Sequence, residues 1–581
     1  MPRLLACLLL LSCATACSTP AAPPSGEAPP TNYVLHNASI YTVDAAKPSA
    51  EALAVSNGAI VGVGAADSLL AAHPEWARLD AGGATVVPGL IDAHAHLMGM
   101  LSGEGLGQLL LNVNLAGTRS VEEIVDRLVS HATTLSGEAW LVGRGWDQND
   151  WVPADDGSYP FPTRADLDEA FPNRPVLLER IDGHAYWANT AALREAGIDP
   201  GAPAPTNPEG GAYIRDQDGL PTGVTIDKAG EALQAAVPPI SDEQKREALR
   251  RALAETAKYG LTGIHEAGTS LEAYRLYEQA LRNGQFGLRL YAMASGAGDA
   301  MAFACENEGR VTHPSGRLQM RSVKLYLDGA LGSRGAALIE DYADDPGNRG
   351  LLFLQPEAFA PIVQEAMDCG LQVNTHAIGD RANRVVLDAY EQAMASQSGR
   401  EGPGNQGRHR IEHAQVATPD DLDRLVDLGV IASMQPTHAT SDMPWAEDRV
   451  GPVRIRGAYA WRTIVDAGGR LALGSDFPVE RVDPILGFYA AVARQDAEGM
   501  PEGGWYPDQR LTREEALRGF TLDAAYAAFM EDEVGSLEVG KRADFVLLNQ
   551  DLMTVPVEDL LSTRVLATYL DGARIYEADA P

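Results

Sequence analysis

His94 and His96 close the first long apolar run of the chain, and His376, His413 and Asp476 close later ones, while Lys324 sits inside a further run. Side chains two apart on an extended segment project to the same side, so His94 and His96 can grip one ion. Neutral imidazole and carboxylate suit zinc and related divalent metals, and a catalytic site keeps a coordination position open for water. The chemistry open to this set is hydrolysis: a metal-activated hydroxide attacks a carbonyl, and a nearby acid moves the protons. Singly, each residue has a plainer reading. A histidine at a strand end is commonly a hydrogen-bonded core or surface residue. Asp476 could cap a turn or a helix, and Lys324 could pair with Asp328 inside the fold. Four histidines, one aspartate and one lysine gathered on the ends of five strands are hard to explain as packing.

Such residues need a frame that brings distant strand ends together. Eight short apolar runs, at 86–96, 260–268, 288–294, 322–330, 371–380, 410–415, 429–436 and 471–478, alternate with helical stretches such as SDEQKREALRRALAETAKYG. This alternation predicts a parallel sheet with helical crossovers. Eight strands fit an α/β protein built on a (β/α)8 TIM barrel, which places active sites at the C-terminal strand ends. No dinucleotide fingerprint or Walker loop stands where a doubly wound nucleotide-binding sheet would need it. The runs AWLVGRGW and PVLLERIDGHAYW predict an inserted α+β subdomain over about 101–255. Alternating apolar positions at 33–85 and 533–581 predict one small β-sandwich made from both chain ends, which leaves 86–532 for the barrel.

Composition bounds the partners. The 581 residues are 45% hydrophobic and 22% charged, too apolar for a disordered chain. With 46 Lys and Arg against 80 Asp and Glu, the net charge is -34. That balance repels nucleic acid and anionic lipid, and otherwise speaks to solubility. The chain opens with Met-Pro-Arg and a Leu-rich run, which reads as a secretory leader too short to span a bilayer as a mature helix. Small residues before Cys13 and Cys17 resemble a bacterial lipobox. Cys17 is preferred as the lipidated residue, because Cys13 would leave a very short apolar region. These features predict a leader over 1–16, a disordered Pro/Ala/Ser linker over 17–32, and export with a lipid anchor in the periplasm or outer membrane. Membrane contact is then only through the anchor. Cys305 and Cys369 read as buried thiols, without a disulfide framework.

VVPGLIDAHAHL (86–97), NTHAIGDRAN (374–383), RIEHAQ (410–415), GSDFPV (474–479) and GSLEVGKRADFVLL (535–548) resemble the metal-dependent amidohydrolase superfamily. GRGWDQNDW (143–151), RIDGHAYWAN (180–189) and VKLYLDGALGSR (323–334) narrow the resemblance to the amidohydrolase-3, YtcJ-like branch that includes N-substituted formamide deformylases. It spans residues 33–577 and implies the same barrel and composite sandwich. It also implies one or two divalent ions, zinc first with manganese or iron as alternatives. His94, His96 and Asp476 match the first-strand and eighth-strand ligands, and His376 and His413 those of a second metal. Lys324 matches a lysine that is carboxylated to bridge the two, since an unmodified ammonium would repel them.

In that reading Asp476 hydrogen-bonds the hydroxide, takes its proton and delivers it to a leaving amine. His184 is the first choice as donor to the oxyanion, and His265 a weaker one. Beside His265, Glu266 stands where the family commonly has aspartate. Trp146, Asp147, Trp151 and Trp187 line either the substrate cleft or the core of the insertion. Arg334 meets either an anionic substrate group or a neighbouring carboxylate. His409 reads as structural, and His73, His131, His313 and His438 occupy loop or helix contexts without an evident partner. The leading function is hydrolysis of a non-peptide C–N bond, amide or formamide, of a small molecule. An esterase or lactonase on the same site, or a solute-binding lipoprotein on a retired barrel, are the alternatives. Oligomeric state is left open, a homodimer included.

Overall fold

A computed structural model describes residues 30–100, 103–133, 139–153, 158–180, 184–208, 211–397 and 405–579. Its centre is a sheet of eight parallel strands: β1 (Leu90–Ala95), β2 (Leu261–Thr269), β3 (Arg289–Ser295), β4 (Leu318–Tyr326), β5 (Gln372–Ala377), β6 (Arg410–His413), β7 (Ile431–Met434) and β8 (Leu471–Leu473). Each strand pairs with the next in chain order. The two ends of the sheet meet where the Asp476 N–H donates to the His94 carbonyl at 2.7 Å and the Ser475 N–H to Asp92 Oδ1 at 3.0 Å. Gly474 permits that approach, because a Cβ there would lie 2.6 Å from the His94 nitrogen. The eight runs legible in the sequence are therefore the eight staves of a (β/α)8 barrel, buried on both faces as parallel strands require.

The crossover helices form the outer layer. Asp242–Lys258 starts at Ser241, whose hydroxyl accepts the Gln244 N–H while Gln244 Oε1 accepts the Ser241 N–H at 2.8 Å. This reciprocal cap satisfies two donors that the first turn would otherwise leave open. Ala248, Leu249, Ala252 and Leu253 then face the barrel core. Each fully buried leucine there contributes about 1.5–3 kcal/mol. The helix packs into the barrel core, so the insertion, expected over about 101–255, ends before it. That insertion carries a six-stranded sheet of its own, from Val113–Asn114 to Pro221–Asp227.

The run at 86–96 serves two sheets. Thr85–Pro88 pairs antiparallel with Phe545–Leu548, joining both chain ends in one six-stranded sheet. At Gly89 the chain passes so close to Thr262 that a Cβ would lie 2.1 Å from its hydroxyl oxygen. Beyond it the chain continues as β1. A four-stranded sheet packs on the first through Tyr33, Leu35, Val55, Val86 and Phe545, which completes the sandwich. Arg289 at the foot of β3 locks sandwich to barrel: its Nε donates to Asp544 Oδ2 at 2.6 Å, and its Nη2 to Asp571. The Arg289–Asp544 pair is buried, so deleting either partner would strand a charge in the interior.

The expectation for the cysteines is also corrected. Cys305 and Cys369 are not free thiols; they form a disulfide that ties the Asp299–Glu306 helix to the end of the Pro356–Asp368 helix. A sequence separation of 64 hides the pair from any spacing rule, while their helices lie on either side of β4. Closing a loop of that length stabilises the fold by about 4 kcal/mol in the chain-entropy account. No helix among the described residues is long and apolar enough to cross a membrane. Cys13, Cys17 and the leader lie outside the described residues.

Candidate active site

The C-terminal ends of the barrel strands open into a cavity of ≈ 460 Å³, lined by His94, His96, Lys324, His376, His413 and Asp476 among others. The period of the strand explains the first pair: His94 and His96 leave the end of β1 on one side, both buried. His94 Nδ1 meets the Glu412 carboxylate, which is itself gripped by Arg410 at 2.8 Å. Its Nε2 is thereby turned inward, 3.1 Å from Lys324 Nζ and 3.5 Å from Asp476 Oδ1. His96 Nδ1 points at the Gly99 carbonyl, 3.3 Å away, and its Nε2 lies 3.1 Å from Asp476 Oδ1. His413 Nδ1 is held by Gln435 Oε1 at 2.8 Å. An acceptor on Nδ1 fixes the tautomer whose Nε2 keeps a free lone pair, the form a metal takes.

The donor set fits a divalent ion. Ligand atoms of His94, His413 and Asp476 lie within 4.8 Å of one another. His376 Nε2 and Asp476 Oδ1 are buried without a hydrogen-bond partner among the described residues. Buried polar atoms are normally satisfied, so orphans lining one cavity mark a place where something else completes them. Burial, reinforced by the nearby Lys324 charge, pulls His94 down to about 4 and His376 to about 3, so both are neutral near pH 7. Burial also lowers Lys324 to about 8. Lys324 is 0% exposed, and Asp328 is not its partner: that carboxylate accepts the N–H groups of Ala337, Ile378 and Gly379. His413 and Asp476 adopt left-handed backbone, φ 74° and 62°. For such residues this costs about 1–3 kcal/mol each, and it aims both side chains into the cavity.

Glu412 follows as the residue on which His94 depends. Glu412→Gln is expected to weaken divalent-metal affinity about 10- to 100-fold. Competition with a metal-binding dye would measure it, and unchanged affinity would show that His94 needs no such support.

Other expected residues lie elsewhere. His184 is 72% exposed on the insertion and pairs with Asp227 at 2.7 Å, outside the cavity lining. Trp146 and Trp187 are the fully buried centre of the insertion, with Trp151 packed against them. Asp147 caps the next turn and binds Arg180 at 2.6 Å. His265 lies within the barrel, 2.9 Å from Arg410 Nη1. Glu266 holds the segment after β1 through the N–H groups of Leu97 and Met98. Arg334 is spent on Asp344 at 2.8 Å, and His409 accepts the Val373 N–H at 3.0 Å. His438, which the sequence leaves without a partner, lines the cavity, with Nε2 3.7 Å from Asp476 Oδ2.

A TIM barrel with this cluster at its strand ends defines a metal-dependent hydrolase. The chain belongs to the amidohydrolase family, whose match covers residues 78–576. It is 32% identical over 552 residues to the YtcJ protein of Bacillus subtilis (strain 168), which covers 94% of this chain and 99% of that one. It is 30% identical over 565 residues to the N-substituted formamide deformylase of Arthrobacter pascens, covering 94% and 98% respectively. An uncharacterized metal-dependent hydrolase from Pyrococcus furiosus superposes with a TM-score of 0.72 at 28% identity, over 90% of this chain and 100% of that one.

Proposed function

We propose that this hydrolase cleaves a non-peptide C–N bond of a small amide or N-substituted formamide, with Asp476 as the group that moves the proton. One observation carries the reading: Asp476 shares the cavity with five histidines, Oδ1 facing His94 and His96 and Oδ2 facing His438. His94, His96, His376, His413 and Asp476 would hold one or two divalent ions, zinc before manganese or iron, with a carboxylated Lys324 between them. Such ions supply Lewis acidity towards a carbonyl and a water activated at neutral pH. Asp476 accepts the proton that water gives up on attack and delivers it to the departing nitrogen, so that the amine leaves neutral. Burial favours the free amine of Lys324, and that form combines with CO2, releasing one proton. Leu331, Phe353, Ile378 and Trp445 give the cavity an apolar wall suited to an N-substituent. The formamide deformylase among the relatives supports this class.

The test is turnover by metal-loaded protein on N-substituted formamides, N-acyl amines, esters and lactones, with acid and amine both measured. Equal release of acid and amine supports the reading. Hydrolysis of esters alone turns it towards an esterase or lactonase, and no turnover with metal retained favours a solute-binding protein. For location we propose export and a lipid anchor at Cys17. The disulfide supports an oxidising compartment. Labelled palmitate that still enters Cys17→Ala would refute that anchor.

A further inference from the structure

The oxygen of the scissile carbonyl gains charge as it is attacked, and a preorganised donor aimed at it is a large part of catalysis. With His184 outside the cavity, that donor must come from elsewhere. We infer that His438 is this group, hydrogen-bonding the reacting oxygen from Nε2. The inference rests on the C–N hydrolase reading above.

His438 sits on the short Pro436–Asp442 helix that follows β7. Its backbone N–H donates to the Gln435 carbonyl at 3.1 Å, and the Gln435 side chain holds His413. The His438 ring lies nearly parallel to that of His413, 17° between planes and 5.8 Å between centroids. Its side chain is 13% exposed, and Nε2 is buried without a hydrogen-bond partner among the described residues. At 3.7 Å from Asp476 Oδ2, Nε2 borders the space into which the proton carrier also faces. His438 is not one of the three residues, His94, His413 and Asp476, whose ligand atoms lie within 4.8 Å of one another.

Three other polar side chains of the cavity wall are engaged. The Tyr326 hydroxyl donates to the Ala267 carbonyl at 3.2 Å, and Gln415 Nε2 donates to Asp442 at 2.8 Å and Tyr459 at 2.6 Å. Ser441 donates to Glu480 at 2.6 Å. The Trp445 ring packs over Gly332, near the Arg449 guanidinium, and among the described residues it has no partner of the His413 and Asp476 kind. His438 has a nitrogen beside the reacting space, and an imidazole N–H is the donor this task needs.

Two substitutions separate the hydrogen bond from the packing. His438→Phe keeps a ring against His413 and removes the donor; His438→Gln keeps a donor and removes the ring. His438→Phe is expected to lower kcat on the best amide about 10²- to 10³-fold, with bound metal and KM unchanged. It should also weaken binding of methylphosphonate, a tetrahedral anion, about 10- to 100-fold in calorimetry. His438→Gln should recover most of both losses. Loss of metal from His438→Phe would make the residue a ligand and overturn the proposal. So would equal methylphosphonate binding by variant and wild type, none by either included. If wild type hydrolyses no amide, the proposed function falls, yet the methylphosphonate comparison still decides the role of His438.

Discussion

Asp476→Asn is expected to lower kcat on amides about 10²- to 10⁴-fold, the range for removing a general acid–base group. Asparagine has the shape of aspartate and tolerates left-handed backbone, so φ 62° at this position should not unfold the variant. Its amide oxygen can still point at an ion, but it cannot take a proton at neutral pH. The measurement is kcat beside bound metal per chain. Full metal with near wild-type turnover would remove Asp476 as proton carrier. Lost metal would show that its first duty is coordination.

The second large effect is expected at Lys324. If the proposed carboxylated Lys324 joins two ions, Lys324→Ala should reduce bound divalent ions from about two per chain to about one, with kcat falling at least about 100-fold. Lys324 Nζ lies 3.1 Å from His94 Nε2, so its ammonium form would oppose a cation at that nitrogen. The proposed carbamate would instead carry a negative charge towards it. Elemental analysis of wild type and variant decides the matter. Equal metal in both would make Lys324 a buried base rather than a bridge.

The barrel was legible because each stave is a short apolar run closed by a polar residue, and nothing in a barrel blurs that rhythm. The strand-end cluster was legible for the same reason: His94, His96, Lys324, His376, His413 and Asp476 all fall at or near those closures, and the structure brings them to one cavity. What escaped lies off the rhythm. Glu412 precedes His413 on β6 and meets Nδ1 of His94 from across the barrel. A lone acid inside RIEHAQ carries no sign of that. His438 sits on a helix rather than a strand end, and only the path of the loop after β7 delivers it to Asp476. His184 erred the opposite way: its motif promised chemistry, while its pairing with Asp227 leaves it on the surface. The tryptophans of the insertion fill its core because a six-stranded sheet outside the barrel must bury a face of its own.

The sandwich ties the two ends of the molecule together in time as well as in space. Tyr33 donates to the Gly572 carbonyl at 2.9 Å across 539 positions of sequence. Thr85–Pro88, from which β1 and its histidines spring, finds its neighbour Phe545–Leu548 only when synthesis is nearly over. Until then the growing chain exposes an unpaired strand edge, the kind of surface on which chains aggregate. A nascent chain halted before Phe545 would already own every histidine of the site, yet lack the strand that seats the first two.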